Sequence, residues 1–151
     1  MSPRQLFRAV ALAEAITWTL LLAGLVLKYG FGLDIAVTIG GTLHGIVFIA
    51  YAFTALLVAL NQRWPLPIAL VAVVVAAVPY GTIPTEIVLD RRGLLAGDWR
   101  REATDDPRDN AWIYRLLRWL LGHVAIFAVA AVALVAVVVT VLLITGPPVG
   151  K

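Results

Sequence analysis

Ionisable side chains interrupt the long apolar stretches of this sequence, and their chemistry is proton or ligand handling. Glu14 and His44 fall in the middle of the first and second such stretches, whereas Lys28 falls at the end of the first and Glu86 near the end of the third. A carboxyl group and an imidazole bind and release protons, and each is costly to bury in lipid. These residues are therefore predicted either to handle protons or a ligand, or to hydrogen-bond helices together. The other polar candidates are Thr17, Tyr51 and Tyr80.

The composition predicts that lipid surrounds these stretches. The 151-residue chain is 62% hydrophobic and 14% charged, whereas soluble domains are about half apolar and about a quarter charged. We therefore predict an all-α integral membrane protein, a bundle of about four transmembrane helices with a three-helix core and an appended fourth. Its expected location is the inner (plasma) membrane of a bacterium, as a multi-pass protein.

The lengths of the apolar runs place the helices, because a bilayer needs about 20 residues to be crossed. Residues 1–95 are predicted to form the three-helix domain, with helices at about 6–28, 35–60 and 65–89. Residues 96–112 are predicted as a polar cytoplasmic loop, and 113–151 as an interfacial turn followed by the fourth helix. The first run is long enough to span, so it is expected to be retained and not cleaved as a signal peptide.

The third segment has two alternative paths. Pro79, Gly81 and Pro84 predict a kink or an unwound stretch within it. If the segment spans, Lys28 and Glu86 can form an ion pair, but the arginines fall on both sides of the membrane. If it is re-entrant, every arginine is cytoplasmic, as the positive-inside rule prefers. A spanning helix is the expectation, because irregular backbone in lipid requires cover by protein.

Depth and residue size predict which helix faces meet. The first two helices are joined by a short turn, so the heights of Glu14 and His44 differ by only about one helical turn. A buried Glu14–His44 pair is therefore geometrically reasonable. Small residues allow helices to approach closely, and the predicted packing faces consist of Gly41 and Gly45 on the second helix and Gly122, Ala125 and Ala128 on the fourth.

Arginines near the predicted membrane ends indicate contacts with anionic lipid headgroups. They are Arg91, Arg92, Arg115 and Arg118. No zinc-ligand spacing, phosphate loop or nucleophile motif occurs, cysteine is absent and the single serine is Ser2. The sequence therefore predicts no enzyme activity, no metal and no cofactor. Nucleic acid is not an expected partner, because no basic face with interleaved aromatic residues is present.

Several polar strings together resemble one family of bacterial membrane proteins. They are Ala13-Glu14 with Thr17, Leu27-Lys28-Tyr29, His44-Gly45, and Pro79-Tyr80-Gly81-Thr82 followed by Glu86. The likeness is to the uncharacterised DUF3817 family, also described as the "HG" integral membrane domain, and it covers about the first 95 residues. It implies a three-helix membrane unit of unknown function, common in actinobacteria, and it gives no catalytic assignment to carry over.

Two functions remain open at this stage. The leading hypothesis is a non-enzymatic accessory or assembly subunit, or a homo-oligomer, because packing faces are present and a catalytic set is not. The alternative is a small proton-coupled transporter or lipid-handling carrier that uses Glu14 and His44. The expected partners are the lipid bilayer and a second copy or another membrane protein.

Overall fold

All regular structure in the described part of the chain is helical, which confirms the predicted all-α class. The computed structural model describes the backbone of residues 1–145 and the side chains of that range except those at 124, 127, 131, 139, 142, 143 and 145. The last predicted residues, 146–151, lie outside it. The chain forms two compact units, Met1–Arg100 and Arg101–Lys151. The α-helices are α1 (Pro3–Phe31), α2 (Asp34–Gln62), α3 (Leu66–Val74), α4 (Thr82–Arg91), α5 (Trp112–Gly122) and α6 (Val124–Thr145).

Two long antiparallel helices, α1 and α2, form the frame of the first unit. A capping box begins α1: the Ser2 hydroxyl accepts from the Gln5 backbone N–H, and the Gln5 side chain accepts from the Ser2 N–H. Gly32, in the left-handed region at φ 70°, ends this helix. Both helices have 29 residues and are long and apolar enough to cross a membrane, judged by length and composition.

The third segment is a helical hairpin and not one helix. After α3, a 3-10 turn at Val75–Ala77 leads into a reversal, in which Tyr80 has a positive φ of 62°. The tip reaches only the middle of α1, because the Trp18 indole N–H donates to the Ala76 carbonyl oxygen at 3.2 Å and the Tyr80 hydroxyl lies 3.1 Å from that of Thr19. The chain then returns along α1 as α4.

The end of α4 lies at the end of the frame where α3 began. Arg4, at the start of α1, pairs with Asp90. At the end of α2, Asn61 donates to the Asp98 carbonyl oxygen at 3.1 Å, and Trp64 donates to that of Leu94 at 2.7 Å. The expectation of one helix at 65–89 is therefore wrong, because the chain reverses at Pro79-Tyr80-Gly81.

Side chains of the two long helices cover the irregular backbone at the hairpin tip. The Tyr51 hydroxyl donates to the Ala72 carbonyl oxygen at 3.0 Å, and Trp18 binds Ala76 as described. Tyr51 is fully buried, and its ring lies 5.6 Å from that of Phe7 in the core. Irregular backbone within lipid needs cover by protein, and these contacts supply that cover at the hairpin tip.

The second unit consists of a short loop structure, α5 and α6. Asp109 is buried in a 3-10 turn (Pro107–Asn110), where its carboxylate accepts from the backbone N–H and the hydroxyl of Thr104, each at 2.7 Å. Arg118 of α5 pairs with the same carboxylate at 3.5 Å. The predicted interfacial turn is therefore an 11-residue amphipathic helix, and the predicted fourth helix corresponds to α6.

Candidate functional site

A row of polar contacts, here called the polar row, follows the face of α1 towards the middle of the frame. Its members are Arg4, Arg8, Glu14 and Thr17 of α1, His44 of α2, and Thr82, Glu86 and Asp90 of α4. Thr82, Glu86 and Asp90 recur at every fourth position of α4, which places them on one face of that helix. On α1 the spacing is four from Arg4 to Arg8 and three from Glu14 to Thr17, with six positions between the two pairs. The row therefore follows from the antiparallel pairing of α1 and α4.

The outer half of the polar row consists of charged pairs. Arg4 pairs with Asp90, and both side chains are partly exposed. One turn further in, the Arg8 Nε atom lies 3.7 Å from Glu86 Oε1. That distance is too long for a hydrogen bond, and Glu86 Oε1 is buried without a hydrogen-bond partner. The Glu86 carboxylate is thus held by the charge of Arg8 without a hydrogen bond, and its Oε1 atom remains able to accept one.

Glu14 lies at the inner end of these pairs and faces the start of α4. Its side chain is fully buried, and the Thr82 hydroxyl donates to Glu14 Oε2 at 2.8 Å. The other carboxyl oxygen, Oε1, is buried without a hydrogen-bond partner. Thr82 is the first residue of α4, so the positive end of that helix dipole is directed towards the carboxyl group. The site can hold a proton or a cation on the free oxygen.

His44 continues the row on α2 through Thr17. The Thr17 hydroxyl donates to the Glu14 backbone oxygen at 2.9 Å and lies 3.3 Å from His44 Nδ1. The His44 ring is 4.4 Å from the Trp18 ring, measured between centroids. Thr17 therefore links His44 to the backbone oxygen of Glu14 and not to its carboxyl group, and the described residues show no direct hydrogen bond of the predicted Glu14–His44 pair.

A close approach of α1 and α2 closes the frame beyond His44. A β-carbon added at Gly40 would lie 2.7 Å from the Leu20 carbonyl oxygen, and one at Gly24 would lie 2.7 Å from that of Ala36. Such distances are sterically excluded, so only glycine permits this crossing. The polar row thus has one partly exposed end, at the Arg4–Asp90 pair, here called its open end, and it ends at this close approach on the other side.

The predicted glycine contact is displaced by one residue. At Gly45 an added β-carbon would meet no described atom within 4 Å, and at Gly41 it would meet only a Leu21 methyl group, at 3.8 Å. Gly41 and Gly45 therefore make no close helix contact among the described residues of this chain, because a shift of one residue rotates the face by about 100°. Their packing against another subunit stays a prediction. Gly40, with Gly24 opposite, makes the contact.

The predicted Lys28–Glu86 ion pair is also wrong. Lys28 Nζ lies 3.2 Å from Asp34 Oδ1 across the turn between α1 and α2. Glu86 is placed near Arg8 at the opposite end, because the hairpin returns to where it began. The Lys28–Glu86 pair was predicted for a third segment that runs straight from one end of the frame to the other, and the hairpin does not do so.

The remaining predicted residues lie at the hairpin and in the second unit. Tyr51 and Tyr80 support the hairpin as described. Arg91 and Arg92 end α4 and are exposed, as is Arg115 on α5. Arg118 instead donates to the Asp109 backbone oxygen at 2.7 Å and is largely buried, so its contact is internal. Gly122, Ala125 and Ala128 are exposed, and their role in packing stays a prediction.

Sequence reasoning missed the partners that complete the polar row. These are Arg4, Arg8, Thr82 and Asp90, together with Gly24 of the close approach. The spacing of Thr82, Glu86 and Asp90 at successive fourth positions was a usable signal, because it places all three on one helical face. Among the described residues, no three acidic or histidine side chains converge as metal ligands.

Comparison with known proteins places the first unit in a family. The family described as "Domain of unknown function (DUF3817)" matches residues 4–91, which contain α1, α2 and the hairpin. SCO5905 of Streptomyces coelicolor, named as a candidate membrane protein, is 43% identical over 103 residues, which are 67% of this chain and 12% of that protein. No solved structure matches the chain significantly.

A second relative is shorter. YdzA of Bacillus subtilis, named as an uncharacterized membrane protein, is 39% identical over 62 residues, or 41% of this chain and 65% of that protein. The chain thus spans a small part of the first relative and just under two thirds of the second. Both names and the two long apolar helices support a membrane protein. The chain belongs to the DUF3817 family of unknown function.

Proposed function

We propose that the protein is a multi-pass protein of the bacterial plasma membrane in which α1, α2 and α6 span the bilayer. The three helices have 29, 29 and 22 residues, and about 20 are needed to cross. Large apolar side chains along them are exposed, among them Ile16, Ile39 and Val129. This exposure suits contact with lipid.

The α3–α4 hairpin is proposed to enter from the cytoplasmic side. The arginines of the first unit lie at the open end of the polar row, whereas the opposite end carries Lys28 beside Asp34. Positive charge prefers the cytoplasm, so the open end is assigned to that side. Helix α3 with its 3-10 turn has 12 residues, or about 18 Å. That length is too short for a core of about 30 Å.

The function that this site supports best is proton handling by a small proton-coupled carrier. The observation that carries the proposal is Glu14, which is fully buried, has one unpartnered carboxyl oxygen and faces the start of α4. Ionisable residues at membrane depth mark proton and substrate pathways. Transporters place the ends of broken helices at such sites. Glu14 is assigned as the proton-binding group.

The rest of the polar row supplies the path and its inner partner. Protons are proposed to enter past Asp90 and Glu86 and to reach Glu14. Since Thr17 contacts only the backbone oxygen of Glu14 and the His44 ring, no direct transfer from the Glu14 carboxyl group to His44 is assigned. The Gly24/Gly40 crossing blocks the far side in this conformation. Transport would therefore require that the two long helices separate there. A homo-oligomer is proposed, since a single chain of this size offers few helices to move against one another.

An accessory or assembly role is the second candidate, and one comparison favours it. The match to SCO5905 covers only 12% of that protein, so a related unit forms a small part of a much longer chain. A module that is joined to other domains can act through packing alone. Neither proposal includes a catalytic step or a cofactor.

Proton flux in proteoliposomes tests the carrier against the accessory role. The purified chain is reconstituted into vesicles with an internal pH dye, and a potassium diffusion potential drives protons inward. The wild type and the control variant Glu102→Gln, which changes an exposed loop carboxylate, are expected to acidify the lumen. Glu14→Gln is expected to abolish the signal while its circular dichroism and elution volume stay unchanged. Equal rates for all three proteins, or no flux above empty vesicles, would contradict the carrier and favour the accessory role.

A further inference from the structure

A groove runs along the hairpin on the side away from the two long helices. Its volume is about 400 Å³, within the range of about 300–1,000 Å³ that is typical of ligand sites. It lies between α3 and α4, and no residue of α1 or α2 lines it. The lining is apolar apart from Thr85 and Arg92 and consists of Pro67, Ile68, Val71, Ala72, Pro84, Thr85, Val88, Leu89 and Arg92.

The two polar groups of the groove differ in their bonding. The Thr85 hydroxyl donates to the Gly81 carbonyl oxygen at 2.8 Å, so its proton already has an acceptor and does not need one from a ligand. Arg92 is exposed at the end of α4 and has no ion pair among the described residues. The groove therefore combines an apolar floor with one cation at its mouth.

The dimensions of the groove match one lipid chain in one leaflet. From Arg92 to Thr85 there are seven residues of helix, or about 11 Å, and half of the hydrocarbon core is about 15 Å. Arg92 lies at the arginine-bearing end of the hairpin, where headgroups would be. A guanidinium group binds phosphate through charge-assisted hydrogen bonds.

We infer that this groove binds an anionic phospholipid, with one acyl chain between α3 and α4 and the headgroup phosphate on Arg92. The inference rests on the proposed placement of the arginine-bearing end at the cytoplasmic surface, but not on the proton-handling role of Glu14. Lipid binding and proton flux are measured separately, so failure of one leaves the other standing.

Native mass spectrometry of the full chain tests the headgroup contact. The protein is released from nanodiscs that contain equal amounts of phosphatidylglycerol and phosphatidylcholine, and the retained lipids are counted. The wild type is expected to retain phosphatidylglycerol preferentially. Arg92→Gln should lower that preference about fivefold, whereas Arg101→Gln, at an exposed arginine that neither lines the groove nor belongs to the predicted headgroup contacts, should leave it within about twofold. Equal effects of the two variants would overturn the assignment of the phosphate to Arg92.

A bulky substitution tests the chain-binding part of the groove. Val71→Trp fills the groove, and Val26→Trp is its matched control, because the two valines are 63% and 65% exposed and only Val71 lines the groove. Val71→Trp should lower the retained lipid of both classes, and Val26→Trp should not. Unchanged retention in a Val71→Trp protein of normal thermal stability would overturn the proposal.

Cysteine crosslinking identifies a competing occupant of the groove. Val71→Cys alone would form a disulfide dimer if a second copy covered the groove. Val71→Cys combined with Val129→Cys would crosslink within one chain if α6 lay there. Either crosslink in native membranes would overturn the lipid proposal, whereas the expected result is neither.

Discussion

The hydroxyl of Thr82 donates a 2.8 Å hydrogen bond to the carboxyl group of Glu14, across 68 positions of the chain. The same hydroxyl lies 3.2 Å from the Ala11 carbonyl oxygen. Both contacts hold the start of α4 against the middle of α1, immediately after the chain has reversed. This relationship fixes the direction of the hairpin and completes the site around Glu14.

Removal of this hydroxyl is expected to destabilise the hairpin. In Thr82→Val the shape of the side chain is kept, but Glu14 Oε2 loses its buried donor. Hydrogen bonds between membrane helices contribute about 0.6–1.7 kcal/mol, and an unsatisfied buried group costs about 1–3 kcal/mol. We expect a loss of about 1–2 kcal/mol in the free energy of unfolding, measured by SDS titration of the protein in mixed micelles.

Thr85→Val is the control for that measurement. The Thr85 hydroxyl bonds only to the Gly81 carbonyl oxygen of its own helix, so its removal breaks no contact between helices. We expect a change of less than about 0.5 kcal/mol. Equal losses for the two variants would show that the Thr82–Glu14 bond does not hold the hairpin.

The sequence predicted the hairpin break but not the direction of the chain after it. Pro79, Gly81 and Pro84 indicate a local interruption, since proline removes a backbone donor and glycine permits tight turns. The angle after the interruption depends on contacts far away along the chain, namely Thr82 with Glu14 and Trp18 with Ala76. Such contacts leave no local pattern, so the spanning and re-entrant paths could not be separated.

The glycine crossing yields a second prediction. Gly40→Ala places a methyl carbon 2.7 Å from the Leu20 backbone oxygen, so α1 and α2 must move apart. Forced repacking of this kind costs about 1–3 kcal/mol. The same substitution at Gly45 meets open space and should not destabilise the protein. Comparison of the two variants by SDS titration checks this difference, and equal stability would contradict the close approach at Gly40.

Residue periodicity identified this crossing only approximately. Small residues occur at Ala36, Gly40, Gly41 and Gly45 of α2, so the sequence contains two overlapping small-residue patterns. Which one meets α1 depends on the rotation of α2 about its axis, and that rotation is set by Thr17 with His44 and by Tyr51 with the hairpin. The bounds of α1 and α2, in contrast, follow from local apolar runs and lie within about three residues of the predicted ones.

The outer half of the polar row is expected to control the rate of proton entry. Glu86→Gln keeps the shape of the side chain but removes a carboxyl group between the surface and Glu14. We expect the flux to fall about tenfold without being abolished, because water can take over part of the work of a relay group but cannot replace the proton-binding group. The assay is the proteoliposome measurement, with Glu102→Gln as the matched control. A wild-type rate in Glu86→Gln would remove Glu86 from the path.

The fold of the second unit depends on Asp109. In Asp109→Asn the carboxylate that accepts two bonds from Thr104 and pairs with Arg118 becomes neutral. A loss of about 1–3 kcal/mol in local stability is expected. Hydrogen exchange of the amides at 104–118 measures it, and Asp105→Asn, at an exposed position of the same loop, is the control. Unchanged protection in Asp109→Asn would contradict a structural role for this carboxylate.

Every proposal made for this protein depends on the path of the third segment. Cysteine accessibility tests that path most directly. Since the chain has no cysteine, single cysteines at Arg63, Asp98 and Leu33 can be labelled in intact and permeabilised cells with a membrane-impermeant thiol reagent. The hairpin predicts labelling at 33 in intact cells, and at 63 and 98 only after permeabilisation. Labelling at 63 and 98 on opposite sides would mean that the third segment spans, and the re-entrant account would be contradicted.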